Sequence, residues 1–310
     1  MIFLIKSYQP ARLELQRPDK NFKHLKLYFG ISFPLITMFK INQNYTHIIV
    51  IGNGFDLNLG LKTSYNDFLA SKYFDKLCLN GNQLCTYLKG QHQFKNWIDI
   101  ENELKEYSSK IKKAFFEKEF EELCSSLISF LKELDYSQIN IHSKAYQLIK
   151  NNLGKQFLIL DFNYSNSVNE ILINCGMYDN ERSYRMAKVH GSVESEKIIF
   201  GIEDDVTIDR AHIFLKKTCN IHYYPIPFNS LFKTAQHVFF FGHSLGETDH
   251  TYFKNFFREI CANLIGTKKI DLYYHGKQGY KDLHAQLDIL TLRNIGQFKQ
   301  NSDLTQIDTL

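Results

Sequence analysis

The chain lacks any Cys-x-x-Cys pair; its six cysteines stand apart at 78, 85, 124, 175, 219 and 261. That spacing supports neither a zinc ribbon nor a redox dithiol. A secretion signal is missing too, so the cysteines read as free thiols in a reducing compartment and the expected location is cytoplasmic. Charge of one sign is scarce: 37 basic residues face 33 acidic ones, net +4, too mild a surplus to mark nucleic acid or a membrane surface as a partner. The apolar run Leu27–Phe39 is too short to span a bilayer, holds Pro34, and has no small-residue cleavage site behind it. No His-x-x-x-His spacing occurs, so no metal is expected. One tryptophan against 18 tyrosines and 26 phenylalanines reflects AT-rich coding more than function. Repeats and low-complexity segments are absent.

What is present is enough apolar material, 44% of 310 residues, for one large domain or two ordinary ones. Residues 1–37, broken by Pro10, Pro18 and Pro34, look unlike the rest of the chain. We expect a dispensable leader there, with translation starting at Met38. A single α/β domain should occupy residues 38–300, and the Asn- and Asp-containing tail, 301–310, should be loose. Four branched residues at Ile48–Ile51 read as a strand buried on both faces. From about 65 to 150 the pattern is helical: Trp97, Ile100, Leu104, Tyr107 and Ile111 recur at three- and four-residue steps, as do Phe116, Phe120, Leu123, Leu127 and Leu131. Carboxylates such as Glu101 and Glu106, each four residues before a lysine, read as a solvated helix face. Strands are expected at Gln156–Asp161, Met186–Val189, Lys197–Phe200, His237–Phe241 and Lys269–Tyr274, with a helix at Asp249–Leu264. Strands alternating with helices imply a Rossmann-like, mostly parallel sheet with a long helical insertion after the first strand.

Most of these strands run into a polar or glycine motif. The first gives Gly52-Asn53-Gly54-Phe55-Asp56, the second Asp161-Phe162-Asn163-Tyr164-Ser165, the third His190-Gly191-Ser192, and another Gly242-His243-Ser244-Leu245-Gly246-Glu247-Thr248-Asp249. Glycines let backbone approach a ligand, and the turn's N–H groups suit an anion. Leu57, however, stands where the dinucleotide fingerprint needs its third glycine. Each motif alone reads as a tight turn or a helix cap, with Thr63 or Ser64 capping a helix from Tyr65 and Ser165 or Asp249 capping others. Four together at the carboxyl rim of an open sheet mark a ligand crevice.

These motifs resemble the AbiH family of phage abortive-infection proteins. The resemblance rests on Ile51 through Asp56 with Thr63-Ser64-Tyr65, on Trp97-Ile98-Asp99-Ile100-Glu101, on Phe162-Asn163-Tyr164, His190-Gly191, and Phe241-Gly242-His243-Ser244-Leu245 through Asp249, spanning about Ile48 to Phe257. Ser165 stands where the family more often has threonine. More distantly, the order of glycine turn, asparagine, His-Gly and Gly-x-Ser is similar to sirtuin-like domains, including antiphage NAD hydrolases. That resemblance implies that Gly52, Asn53, Gly54 and Ser244, with Phe55, Asp56 and Asp249 beside them, contact NAD as substrate. It also implies that Asn163 and His190 are catalytic. Asn53 replaces the usual alanine and Asp161 a frequent threonine; the four-cysteine zinc module is missing, which argues against protein deacetylation. A histidine titrating near neutrality would suit the base, and an amide would orient water. His243 and His250 are less persuasive. Besides a small-molecule nucleotide, the expected partner is a second copy or a phage-sensing protein, with no membrane. A nucleotide-binding sensor without turnover is the runner-up. A metal-dependent nuclease using Asp56 and Glu101 is the third reading.

Overall fold

Strand β1 (His47–Ile51) keeps four consecutive branched side chains out of water entirely, which requires cover on both faces. In the computed structural model, which describes residues 44–94, 100–110 and 115–310, that cover is a layer of helices on each side. The expected leader, residues 1–37, lies outside the described residues, as do Trp97, Ile98, Asp99 and Ile111.

In chain order the remaining strands are β2 (Phe157–Asp161), β3 (Met186–Lys188), β4 (Gly191–Ser192), β5 (Lys197–Ile198), β6 (His237–Phe241), β7 (Lys268–Tyr274) and β8 (Ser302–Asp308). Six of them form one sheet in the order β3-β2-β1-β6-β7-β8, and every pairing is parallel. With the β4–β5 hairpin set aside, this is the doubly wound order, and it reverses at β1 and β6, where a crevice must open beyond the strand ends. Alternation splits the strands between two cores. Ile48, Val50, Phe240 and Leu272 pack on Phe253, Phe256 and Phe257 of the helix His250–Cys261. Ile49, Ile51, Phe239 and Phe241 face Phe55, Ile149 and Ile171 on the other side.

Between β1 and β2 the described residues are mostly helical, as the periodicity requires. Phe116, Phe120, Leu123, Leu127 and Leu131 all bury along the helix Phe116–Leu131. They form a third core with Phe68, Phe74, Leu104 and, from beyond β5, Phe200, Ile202 and Leu215.

Two expectations are corrected. Lys197–Phe200 does not join the sheet: Gly191 turns the chain at φ +78°, and Lys197–Ile198 pairs back antiparallel onto Gly191–Ser192. Its apolar residues bury against the helical insertion instead. Nor is the tail loose. After the helix Ile295–Asn301 the chain forms β8, a seven-residue edge strand paired to β7 from Ser302 to Asp308. Deleting residues 302–310 should therefore lower the thermal midpoint by about 4–8 °C, taking a loss of ~2 kcal/mol at roughly 2–4 °C per kcal/mol. An unchanged midpoint would mean that the strand contributes nothing to the fold.

Candidate active site

The register sets the site. Ile51 is level with Asp161 on one side and with Phe241 on the other, so the turns at Gly52, Phe162 and Gly242 leave the sheet side by side. They line a cavity of about 490 Å³, with His190, Thr248 and Asp249 on one wall and Tyr65, Glu101, Leu127 and Leu131 of the helical insertion on another. A cavity of that size holds a small-molecule ligand.

The first turn is tied down backbone to backbone. Gly52 N–H donates to Phe241 O at 3.1 Å and Gly54 N–H to Gly242 O at 2.9 Å. A methyl group at Gly54 would sit 2.7 Å from Gly242 Cα, and one at Gly52 2.7 Å from His243 Cα. These glycines let two turns of the protein approach each other, so the expectation that Gly54 is small for the ligand's sake is corrected. Gly54 and Phe55 do not line the cavity; Phe55 is fully buried with its ring edge-on to Phe241. Gly52, Asn53, Asp56, Ser244 and Asp249 do line it. Asn53 accepts the Thr63 hydroxyl at 2.6 Å, and Ser64 caps the helix Tyr65–Leu69 in a capping box with Asp67. Asp56 accepts from Ser165 Oγ at 2.6 Å and Ser167 Oγ at 2.5 Å. Burial outweighs those hydroxyls and lifts its carboxyl to about 6.

Asn163 is oriented from two sides. Its N–H donates to Asp161 Oδ1 at 2.9 Å, and its Nδ2 donates to Gly52 O at 3.1 Å. The amide oxygen thus remains the end for a ligand. Lys188 Nζ closes the turn, reaching Asp161 Oδ2 at 2.6 Å and the carbonyls of Asn163 and Ser165.

Across the cavity stands a charged cluster whose centre, Lys217, no sequence motif announced. Lys217 Nζ, with a side chain 3% exposed, lies 3.0 Å from Glu101 Oε2, 3.1 Å from Asp249 Oδ1 and 3.2 Å from Thr248 O. Asp249 Oδ1 is 3.5 Å from His190 Nε2, and its Oδ2 is 3.4 Å from His243 Nε2. Leu245 N–H donates to His243 Nδ1 at 3.0 Å, which turns Nε2 toward Asp249. Burial alone would raise Asp249, but Lys217, His190 and His243 hold its carboxyl well below the usual range. Burial would lower Lys217, but Asp249 and Glu101 keep its ammonium charged. Glu101 and Glu103 are both buried, so neither belongs to a solvated face; Glu103 accepts the Tyr87 hydroxyl at 2.8 Å. His250 serves the fold, its Nε2 lying 2.9 Å from both Leu245 O and Gln286 Oε1.

His190 departs most from expectation. It is 4% exposed, and although Nε2 lies near Asp249 it makes no hydrogen bond. Burial, then Lys217, push its pKa down to about 3 against the pull of Asp249. The ring is neutral at physiological pH rather than poised near it, with one buried nitrogen available to a ligand. The unfolded chain therefore binds more protons below pH ~6.5, so the stability from a neutral His190 is present above that pH and is lost as pH falls toward about 3. Urea unfolding of His190→Gln against wild type should show the stability difference shrinking by up to about 5 kcal/mol between pH ~6.5 and about 3, at ~1.4 kcal/mol per pH unit. A pH-independent difference would contradict the buried neutral ring.

Among the described residues, no group of three or more His, Cys, Asp and Glu is arranged to hold a metal ion, and no helix is long and apolar enough to cross a membrane. The family model described as bacteriophage abortive infection AbiH matches residues 48–268, a span that includes all the cavity residues. No curated protein and no solved structure matches the chain.

Proposed function

The chain belongs to the AbiH family and has its role in bacteriophage abortive infection, and from that premise we propose that it is an effector that hydrolyses NAD in the rim cavity. The observation that carries this reading is the charge of the cavity wall. Asp249 lines that wall as an anion, its carboxyl held well below the usual range by Lys217, His190 and His243. Breaking the nicotinamide–ribose bond starts from a cationic pyridinium and passes through an oxocarbenium-like state. A fixed, partly buried negative charge favours that state over neutral or anionic alternatives. In the step, nicotinamide leaves with the bond's electron pair as a neutral ring. Water adds its oxygen to the ribose carbon, and the proton it gives up passes to solvent, so that NAD and water become nicotinamide, ADP-ribose and a proton. The Asn163 amide oxygen orients that water, and the unpartnered His190 nitrogen accepts a hydrogen bond from it or from a ribose hydroxyl. The Gly52–Asn53 turn and Ser244 also line the cavity, and in this reading they bind the outer half of the dinucleotide.

The order of glycine turn, asparagine, His-Gly and Gly-x-Ser resembles that of sirtuin-like domains, which favours the same reading. Loss of the cytoplasmic NAD pool would then halt phage replication along with the cell. The low basicity of His190 favours a second reading, a nucleotide sensor that binds without turnover. For the nuclease reading, both proposed carboxylates are already engaged, Asp56 with two serines and Glu101 with Lys217. Purified protein incubated with NAD separates these readings. Release of nicotinamide and ADP-ribose supports hydrolysis. Saturable NAD binding without product supports the sensor and contradicts the enzyme.

A further inference from the structure

Lys217 opens a short turn, Lys217–Cys219, outside every motif of the sequence. Its three ammonium protons meet three acceptors: Glu101 from the helical insertion, and Asp249 and Thr248 from the loop after β6. A buried lysine persists only when paired in this way. Asp249 is the carboxylate that touches both cavity imidazoles. We propose that Lys217 is a positioning residue with two tasks: it fixes Asp249 between His190 and His243, and it latches the helix Ile100–Lys110 onto the carboxyl rim, so that the insertion closes one wall of the cavity.

Both tasks come from the geometry. With Lys217 in place, the groups facing His190 are Asp249, Lys217 and His243, with the Tyr252 ring 6.0 Å away, and the cation offsets the anion. Without the ammonium, Asp249 would face the two imidazoles unbalanced, which favours a protonated ring. Without Glu101, the helix would lose its ionic tie to the rim while Asp249 kept its cation. The placement of His190 at the reacting ribose rests on the NAD reading, but an NMR titration without nucleotide stands or falls separately.

In the full-length chain, the His190 ring signal is tracked by NMR between pH 5 and 8. In wild type the signal should stay flat, and in Lys217→Arg, which retains a cation, it should also stay flat. In Lys217→Met it should inflect within the window. If that variant does not fold, Glu101→Gln/Lys217→Met relieves the facing carboxylates and should show the same inflection, because Asp249 is still uncovered. A flat His190 in either folded methionine variant would overturn the electrostatic task. Glu101→Gln alone should leave His190 flat, since Lys217 still covers Asp249. It should speed amide exchange in residues 100–110 at least tenfold; unchanged exchange there would overturn the latch, and an inflecting His190 in that variant would overturn the charge assignment.

Discussion

Asn163→Ala and His190→Ala are each expected to lower nicotinamide release by about 10²–10⁴-fold, the range a positioned proton-handling group supplies, with NAD still bound. The two residues do different things, and the structure separates them. Asn163 is held by Asp161 and Gly52 so that its amide has one orientation; alanine removes the orienting group and leaves water to find the ribose carbon unaided. His190 is held neutral, so alanine removes a hydrogen-bond acceptor rather than a charge. Binding should survive in both cases, since the Gly52 and Gly54 N–H bonds to Phe241 O and Gly242 O still hold the turn and Ser244 is unaltered. Cells expressing either variant should be spared the toxicity of the wild type. The readout is product formation at saturating NAD beside calorimetric affinity. Wild-type turnover in a folded variant would remove that residue from the chemistry.

Gly242→Val should damage the fold severely. Gly242 has φ +63°, in the left-handed region, and its added Cβ would lie 2.1 Å from Phe55 N and 2.3 Å from the Gly54 carbonyl carbon. The left-handed backbone costs ~1–2 kcal/mol for a residue with a side chain, and overpacking a rigid backbone contact adds about 1–3 kcal/mol. A total of ~2–5 kcal/mol would take a large share of a typical domain's stability. Because β1 and β6 flank the crevice, the loss should appear both as a lower urea midpoint and as an absent cavity. Gly54→Val should behave similarly, against Gly242 Cα at 2.7 Å, and so destabilise the fold rather than only weaken nucleotide binding. A stable, fully folded Gly242→Val protein would show that the two turns are not packed in this way.

Much of the sheet was legible because buried parallel strands announce themselves: Ile48–Ile51 and Phe157–Asp161 are nearly continuous apolar runs, and their level ends aligned the motifs just beyond them. The edge was not. Ser302–Asp308 alternates polar residues over a strand whose second half is only partly buried, so it reads as a tail. Lys197–Phe200 has strand-like residues, but their burial is against the insertion, a tertiary fact no local pattern carries. The same limit hid the charged cluster. Glu101 and Lys217 are 116 residues apart and belong to no shared motif, and the helical period alone placed Glu101 on a solvated face. His243 sat in plain view after a strand-end glycine, yet only the approach of Asp249 gives it a role. The Gly-x-Gly turn was visible, but what its glycines pack against was not.

The reaction itself is tested most directly by running it in water enriched in heavy oxygen and weighing the products. Hydrolysis at the nicotinamide–ribose bond predicts unlabelled nicotinamide and ADP-ribose carrying one heavy oxygen on its terminal ribose, from wild type and at strongly reduced yield from Asn163→Ala and His190→Ala. Intact NAD after prolonged incubation, or AMP with the heavy oxygen in a phosphate, would contradict it.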